Sequence, residues 1–312
     1  MENSIIFGPV NSRRFGMSLG IDLSPSSKQC NFDCLYCELA PMATVSSQKE
    51  IVSVEEIISN LTKHLSQKID VITLTANGEP TLYPHLSKLI DEIDKIKENT
   101  QTLILTNSAT LVDETIFNAL LKLDQVKLSL DAVSSDIFKK IDRPHTDIDV
   151  TQVVEKVIEF SKVYKGKLFI EILFVLGLND TIEEVKKLND ILLQLDIERV
   201  DLGTIDRPPA YPVVGISYKE LHTLSLLFDS RLPIHIASRT HAEPNNSFYS
   251  EEEIVNTLDK RPLTMDDINL LFDVKTKECF ERLVTGGKIV VKLVGKLEFF
   301  IPAMNSSRKL KK

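Results

Sequence analysis

The sequence predicts an α/β fold in which helices cover a parallel sheet, followed by a smaller second domain. Two observations indicate this fold. Six short β-rich runs alternate with six amphipathic stretches between residues 18 and 228, and a polar, turn-rich break then interrupts the pattern. Repeated βα alternation requires a parallel sheet covered by helices, and functional side chains in such sheets collect at the carboxyl ends of the strands.

The individual elements follow from local composition. Strand runs such as DVITLTA are rich in β-branched and aliphatic residues, and helical runs such as HLSKLIDEIDKIK repeat apolar residues three or four positions apart. The predicted strands are 18–23, 70–76, 102–107, 126–132, 167–177 and 199–206. The predicted helices are 53–65, 85–97, 114–123, 150–164, 181–195 and 218–228.

Residues 242–250, AEPNNSFYS, are read as a linker between a core at 1–241 and a second domain at 251–312. The order of three helices and a hairpin turning at Gly295 resembles a winged helix. This domain has twelve Lys or Arg against ten Asp or Glu, and it ends in the basic tail SRKLKK. Its candidate nucleic-acid contacts are Lys275, Lys277, Arg282, Lys288, Lys292 and Lys296. Glu278 and Glu281 interrupt this set, as on an ordinary solvated face, and winged helices also bind proteins, so both interpretations stay open.

The whole chain of 312 residues is 43% hydrophobic and 26% charged, with a net charge of −8. An acidic balance gives no general nucleic-acid footprint. No apolar run approaches the roughly 18 residues that a membrane span needs, and the first residues lack the pattern of a secretory signal. We therefore expect a cytoplasmic protein that does not enter a membrane, in a compartment that keeps thiols reduced.

The motif CNFDCLYC carries the chemistry, because it places Cys30, Cys34 and Cys37 in a C-x3-C-x2-C pattern. Three thiolates can hold an iron–sulfur cluster and leave one iron open to another ligand. A structural zinc site is the alternative, but it needs four ligands, and no further Cys or His lies within twenty residues of the motif. The remaining cysteine, Cys279, is interpreted as a small buried hydrophobe.

This spacing, with the aromatic Tyr36 before the last cysteine, resembles the radical S-adenosylmethionine (SAM) superfamily. The resemblance implies a partial (βα)6 barrel, a 4Fe-4S cluster on the three cysteines, and SAM bound at the open iron. One electron would cleave SAM to methionine and a 5'-deoxyadenosyl radical, and a flavodoxin or ferredoxin is the expected electron donor. The cofactor supplies such chemistry, while the protein orients it and keeps it dry.

The resemblance also implies a set of SAM contacts at the strand ends. Besides Tyr36, these are Asn77, Gly78 and Glu79 of the NGEP turn, Asn107, Ser129, Asp131, Arg143 and Leu178. Most of them have an ordinary alternative: a simple turn for NGEP, capping or turn closure for Asn107 and Asp131, a solvated loop for Arg143, and core packing for Leu178. Arg207, on the stiff loop before Pro208, is a further candidate contact to a substrate anion.

The run before the cysteines resembles a narrower group, the wyosine-type tRNA-modifying radical SAM proteins. The matching residues are Gly8, Pro9, Val10, Ser12, Arg13, Arg14, Gly16, Ser18, Leu19, Gly20, Ile21 and Asp22. Paired arginines near a cluster can bind phosphate, whereas the plain alternative is a surface turn. Wyosine-base synthases carry further cysteines for a second cluster, which this chain does not have.

Three functions follow. The first is a radical SAM enzyme that modifies RNA, with tRNA as the expected substrate. The second keeps the radical chemistry but acts on a protein or small molecule, with the C-terminal domain as a docking module. The third is a DNA-binding sensor that detects the state of an iron–sulfur cluster or SAM. A sensor does not need an intact barrel with SAM-contacting strand ends, so this function ranks last.

Overall fold

The computed structural model describes residues 5–12, 15–65, 67–236, 248–260, 262–265, 268–269, 272–294 and 297–303. Their packing divides the chain into two compact units. The first contains residues 5–6 and 21–236, and the second contains the described residues of 7–20 and those from 248 onward. The predicted linker at 242–250 lies mostly outside the described residues. Its described residue Tyr249 is buried.

The central sheet has eight strands, which lie side by side in the order in which they occur in the chain. The six strands from β3 to β8 are all parallel to their neighbours. The strands are β1 (Ile6–Ser12), β2 (Gly16–Asp22), β3 (Val71–Thr75), β4 (Gln101–Thr106), β5 (Gln125–Ser129), β6 (Lys167–Phe174), β7 (Arg199–Thr204) and β8 (Ile234–Ile236). The predicted α/β fold with a parallel central sheet is thus confirmed.

Helices separate the parallel strands, and side-chain caps mark where several of them begin. Ser53, Asp113, Asp149, Thr181 and Ser217 each accept a hydrogen bond from a backbone N–H of the first turn. The helices are α1 (Val54–Thr62), α2 (Leu86–Ile96), α3 (Glu114–Leu120), α4 (Ser135–Ile141), α5 (Val150–Val163), α6 (Ile182–Leu192) and α7 (Tyr218–Ser225).

Side-chain alternation gives the sheet two chemically different faces. On β6, Ile170 and Ile172 are fully buried, whereas Glu171 between them is partly exposed. On β7, Val200 and Leu202 are likewise buried on either side of Asp201. The apolar face packs under the helices, so the charged residues lie on the opposite face.

Three elements escaped the sequence-based prediction. The strand β1 carries Gly8 and Pro9 within its seven residues, a composition that indicates a turn. The strand β8 has only three residues, and α4 has seven, so neither is long enough to show a clear period.

In the second unit the described elements after residue 248 are α8 (Glu251–Lys260), α9 (Val274–Thr285), β9 (Ile289–Val294) and β10 (Leu297–Pro302). The two strands form an antiparallel hairpin in which Leu297 pairs with Val294. Its core is aromatic and aliphatic and includes Phe272, Phe280 and Phe300. The predicted middle helix and the turn residues Gly295 and Lys296 lie partly or wholly outside the described residues, and the winged helix stays a prediction.

The N-terminal run belongs to this second unit rather than to the first. The Tyr249 hydroxyl donates to the Pro9 carbonyl oxygen (2.6 Å), and its backbone amide donates to Thr276 Oγ1 (2.8 Å). Gly20 lies against the ring of Phe7 so closely that any Cβ at position 20 would clash with it. The glycine of the sequence motif therefore has a packing role.

Candidate active site

The cysteine loop, residues 29–37, is held by backbone hydrogen bonds on two sides. Toward β3, the Gln29 amide donates to the Asn77 carbonyl (2.8 Å), and the Glu79 amide donates to the Gln29 carbonyl (3.0 Å). Toward the segment after α4, the donor-to-acceptor pairs are Asp33 to Asp142 (3.1 Å), Leu35 to Ile141 (2.8 Å) and His145 to Asn31 (2.8 Å). The fold itself therefore fixes the backbone that carries the three cysteines.

Gly78 makes the contact with the cysteine loop possible. Its φ is +133°, a conformation that residues with a side chain rarely adopt, and a Cβ there would overlap the backbone of Gln29. The preceding residue, Asn77, is fixed by its amide, which donates to Asp22 Oδ1 (2.9 Å). The backbone of the NGEP turn thus packs closely against the backbone of Gln29, the residue just before Cys30.

Glu79 is buried and connects the residues that follow β3 to those at the end of β4 through hydrogen bonds. Its carboxylate accepts from Thr106 Oγ1 (2.5 Å), Thr81 Oγ1 (2.6 Å), the Thr81 amide (3.1 Å) and the Asn107 amide (2.8 Å). Burial outweighs these bonds and raises the pKa of the carboxyl group above its ordinary value. Asn107 in turn donates from Nδ2 to Asn31 Oδ1 (2.6 Å), and the same nitrogen lies 3.9 Å from Cys30 Sγ. The structure therefore brings these two predicted site residues beside the cysteine loop.

The three thiols are free and partly buried, and their environment suits a metal cluster. Burial, with the Glu79 charge, raises the pKa of Cys30 to about 12, and burial also raises the pKa of Cys34 and Cys37. Such a site disfavours unprotonated thiolates that have no bound cation. Metal cations that bind the sulfurs in place of the thiol protons stabilise it. Within the described residues, no set of three His, Cys, Asp or Glu side chains is arranged around one ion. Cysteine thiolates are the ligands that hold iron–sulfur clusters, so three clustered cysteines are a donor set that fits a cluster.

Lys28 places a buried positive charge beside these thiols. Its side chain is 7% exposed, its ammonium lies 3.4 Å from Asp33 Oδ1, and its positive charge opposes the rise in the pKa of Cys37 that burial causes. Burial alone would lower the pKa of Lys28, but Cys37, Asp33 and the other two cysteines together raise it. The lysine thus remains charged, and the sequence motif gave no signal for it.

Tyr36 ties the cysteine loop to the end of β5. Its hydroxyl donates to Asp131 Oδ2 and lies 3.5 Å from Asp142 Oδ1, while the Leu173 amide donates to Asp131 Oδ1 (2.7 Å). Burial raises the pKa of Asp131 to about 7 and also raises that of Tyr36. Tyr36 therefore links the cysteine loop to the end of β5 through a hydrogen bond, and both Asp131 carboxylate oxygens have protein partners.

The other candidate residues lie in different surroundings. The Ser129 carbonyl accepts from Ser108 Oγ (2.9 Å), and Leu178 is a partly buried residue in the turn after β6. Arg207 pairs with Glu38, the residue that follows Cys37. Arg143 has a φ of +46°, and its guanidinium pairs with Asp33 Oδ2 (3.3 Å). Contact of these residues with SAM or a substrate remains a prediction.

Comparison with known proteins identifies the family. Residues 24–191 match the model of the Radical SAM superfamily, which is more than half of the chain. A UPF0026 protein from Helicobacter pylori J99 is 39% identical over 300 residues, covering 95% of this chain and 97% of the relative. UPF0026 protein MJ1312 from Methanocaldococcus jannaschii is 34% identical over 213 residues, covering 66% of this chain and 65% of that protein.

The chain belongs to the radical SAM superfamily. It is also a member of the UPF0026 family. A solved radical SAM methyltransferase from Sphaerobacter thermophilus shares the fold with a TM-score of 0.56 and 14% identity, covering 70% of this chain and 66% of that structure. Membership makes the chain an enzyme, with SAM and an iron–sulfur cluster as its cofactors. The narrower wyosine-type resemblance stays a prediction.

The sheet of this radical SAM chain also carries a set of charged residues that the sequence did not single out. Strand register places Ser129, Glu171, Asp201 and His235 opposite one another on neighbouring strands, and we call these four residues the polar row. Their side chains project on the face opposite the helices. In the sequence, each of these strands shows only a polar residue between two aliphatic residues. Strands that face solvent on one side commonly show the same pattern, so it does not identify the polar row.

Ion pairs connect the polar row to two cations. Lys127 Nζ lies 2.5 Å from Glu171 Oε1 and 3.5 Å from Asp201 Oδ2. The Arg199 guanidinium donates to both Asp201 oxygens (2.8 and 3.3 Å), and His235 Nδ1 lies 3.2 Å from Asp201 Oδ1. Asp201 is fully buried, whereas the Glu171 and His235 side chains are 32% and 47% exposed. The exposed pair offers a carboxylate and an imidazole to a molecule on this face.

Among the described residues, none of the helices has both the length and the apolar character to cross a bilayer.

Proposed function

We propose that Cys30, Cys34 and Cys37 hold a 4Fe-4S cluster and that the enzyme uses SAM-derived radical chemistry to modify RNA, with tRNA as the substrate class. One observation carries the cluster assignment: the C-x3-C-x2-C loop is clamped on both sides by backbone hydrogen bonds. When bound, the reduced cluster supplies the electron that cleaves SAM into methionine and a 5'-deoxyadenosyl radical. A flavodoxin or ferredoxin is the proposed electron donor.

The residues of this chain position and shield the cofactors. Gly78 and Glu79 hold the strand ends against the cysteine loop, and Tyr36 anchors the loop to Asp131. The turn carbonyls are suitable acceptors for the SAM ammonium group, because a donor in a dry site requires partners. The proposed SAM contacts are Tyr36, Asn77, Gly78, Glu79, Asn107, Ser129, Asp131 and Leu178. Arg143 also remains a proposed SAM contact, and its guanidinium pairs with Asp33 Oδ2 (3.3 Å) of the cysteine loop.

The cluster assignment is tested by anaerobic reconstitution with iron and sulfide, followed by reduction in the presence of SAM and chromatography for 5'-deoxyadenosine. Wild-type protein is expected to bind about four irons per chain and to form 5'-deoxyadenosine, while Cys34→Ala loses both. Cys279→Ala is the matched control, because that thiol is buried in the second unit. Bound zinc without SAM cleavage in wild-type protein would refute the proposal.

Two sequence features support RNA as the substrate. The run from Gly8 to Asp22 resembles tRNA-modifying proteins, and residues 251–312 carry a net charge of +2 while the rest of the chain is acidic. Lys275, Arg282, Lys288 and Lys292 are exposed in the second unit, whereas Lys277 donates to the Asn269 carbonyl (3.2 Å). Exposed lysine and arginine supply sequence-independent affinity for phosphates.

Filter binding with bulk tRNA at two salt concentrations tests the RNA assignment. We expect binding that weakens as salt rises, because phosphate contacts release counterions. A triple variant of Lys275, Arg282 and Lys292 to Gln should bind more weakly and with a shallower salt dependence. Absence of any tRNA affinity at low salt would reject RNA as the substrate while leaving the cluster assignment intact.

A protein substrate is the second candidate, and one observation favours it. Phe248 and Val274 are 65% and 73% exposed and, with Asp273 and Lys275, line a cavity of about 500 Å³ in the second unit. Exposed apolar patches commonly mark protein-binding surfaces. If Val274→Asp abolishes substrate-dependent 5'-deoxyadenosine formation while tRNA binding is unchanged, the substrate is a protein.

A further inference from the structure

We propose that a cavity beside the cysteine loop binds a phosphate group of the RNA substrate. This cavity, which we call the outer cavity, has a volume of about 850 Å³, and its polar wall includes Thr44, Lys139, Arg143, His145, Thr146 and Tyr211. The inference rests on the proposed function and adds a second contact region, within the first unit, for the same substrate.

Arg143 is held so that it faces this cavity. Its guanidinium lies 4.7 Å from the centre of the Tyr211 ring and pairs with Asp33 Oδ2, to which the Tyr211 hydroxyl also donates. The side chain is nevertheless 42% exposed. A guanidinium has five N–H donors, so the Asp33 contact leaves others for a phosphate, which Arg binds through paired hydrogen bonds.

Lys139 adds a second positive charge at the cavity wall. It lies in the last turn of α4, it is exposed, and within the described part of the chain no acidic side chain pairs with it. The carboxylates nearby are already engaged: Asp33 with Arg143 and Lys28, and Asp147 with His145 Nδ1 (3.3 Å). Lys139 is thus a cation of the wall that no described carboxylate pairs with, and Arg143, although paired with Asp33, remains 42% exposed, so the wall suits an anionic ligand.

The rest of the cavity suits a nucleotide rather than a bare ion. Its volume lies within the range of roughly 300–1,000 Å³ found for small-molecule sites. Met42, which is 46% exposed, and Ile148 add apolar surface to the lining of the cavity. A phosphate on Lys139 and Arg143 would therefore leave the attached sugar and base against an apolar surface.

The test measures binding of a 5'-fluorescein-labelled, eight-nucleotide single-stranded RNA to reconstituted full-length protein, with SAM present, by fluorescence anisotropy at several salt concentrations. Lys139→Gln is expected to weaken binding and to reduce the salt slope by about 1. Lys140→Gln is the matched control, because Lys140 is the adjacent exposed lysine of α4 but does not line the cavity. It should leave the affinity nearly unchanged.

Competition with uridine monophosphate distinguishes the source of the phosphate. If the monophosphate displaces the RNA from wild-type protein but not from Lys139→Gln, the site accepts a single nucleotide and the RNA contact is local. If only the RNA oligonucleotide binds, the site needs a longer chain. Both results support phosphate binding in the outer cavity.

Other results would overturn the inference. Equal losses in Lys139→Gln and Lys140→Gln would mean that only general charge matters. If Arg143→Gln weakened SAM binding but not RNA binding, the arginine would belong to the SAM site. If Lys139→Gln slowed reduction of the cluster by flavodoxin but left RNA binding unchanged, the cavity would be a docking site for the electron donor. Failure of the proposed function is separate, since it appears as absent cluster or absent tRNA affinity in wild-type protein.

Discussion

The cysteine loop and the polar row are held by different forces. The loop depends on backbone hydrogen bonds and on the close approach of Gly78 to Gln29. The polar row depends on side-chain ion pairs around the buried Asp201. Added bulk should therefore damage the cysteine loop, and lost charge should damage the polar row.

The largest expected effect is that of Gly78→Ala on the loop. The new Cβ would overlap the Gln29 backbone, which cannot yield as a flexible side chain would. We expect reconstituted protein to lose most of its iron and its 5'-deoxyadenosine formation. Gly177→Ala is the matched control, because Gly177 has a φ of +73° but nothing near a Cβ, so it should carry only a left-handed strain of about 1–2 kcal/mol. Equal iron loss in both variants would disprove the steric argument.

The next effect is that of Asp201→Asn on the polar row. Removing the carboxylate leaves Arg199 without this anion and Lys127 with Glu171 alone, and breaking a buried ion pair on one side typically costs about 3–5 kcal/mol. Urea unfolding of the apo protein should show this loss in the free energy of unfolding. Asp229→Asn, which removes an exposed pair with Arg231, is the control and should cause no measurable change. A small loss for Asp201→Asn would mean that the row is solvated.

The same contrast explains what the sequence could reveal. The three cysteines form a short contiguous motif that is marked by its spacing, whereas NGEP is marked by its resemblance to the superfamily and its place after the cysteine loop. The structure brings NGEP against the loop. The parallel sheet followed from the βα alternation. Both rest on information local to a stretch of chain.

Long-range pairing was beyond the sequence. Glu171 and Asp201 are thirty residues apart, and only strand register makes them neighbours. Nothing near Arg143 indicates that its partner is Asp33, or that Tyr211 stacks against it. Lys28 is close to Cys30 in the chain, but its electrostatic influence on Cys37 depends on how the loop folds.

Lys28→Gln removes a positive charge from the cysteine loop, which is otherwise held by backbone contacts. Hydrogen bonds and positive charge at cluster sulfurs favour the reduced state. A charged hydrogen bond is worth about 1.5 kcal/mol, which corresponds to roughly 60 mV in a one-electron couple. We expect the midpoint potential of the reconstituted cluster, followed by electron paramagnetic resonance, to fall by about that amount.

Two variants control the Lys28 experiment. Lys28→Arg keeps the charge and should retain most of the potential, and Lys49→Gln removes an exposed lysine near the loop and should not change it. An unchanged potential in Lys28→Gln, with a full complement of iron, would show that the ammonium does not act on the cluster.

The smallest effect concerns Asp124, a carboxylate just before β5 that bonds to residues near the start of β4. It accepts from Lys97 Nζ (2.6 Å) and from Thr102 N (2.8 Å) and Oγ1 (2.9 Å). Partial burial opposes the carboxylate, but the Lys97 and Thr102 donors outweigh it and hold the pKa of Asp124 below its ordinary value. A lowered folded-state pKa contributes stability above the unfolded-state pKa and loses it as the pH falls through the folded-state value.

Asp124→Asn should therefore reduce the free energy of unfolding by about 1 kcal/mol at neutral pH, a modest figure because the site is partly exposed. The difference from wild-type protein should shrink as the pH is lowered below about 4, where the unfolded carboxyl group takes up its proton. Urea unfolding at pH 7, 5 and 3.5 measures this, with Asp113→Asn as the control for the loss of an exposed carboxylate. A difference that stays constant with pH would mean that hydrogen-bond geometry, rather than the charge of Asp124, stabilises this end of the sheet. The contrast between regions held by shape and regions held by charge would then not extend beyond the polar row.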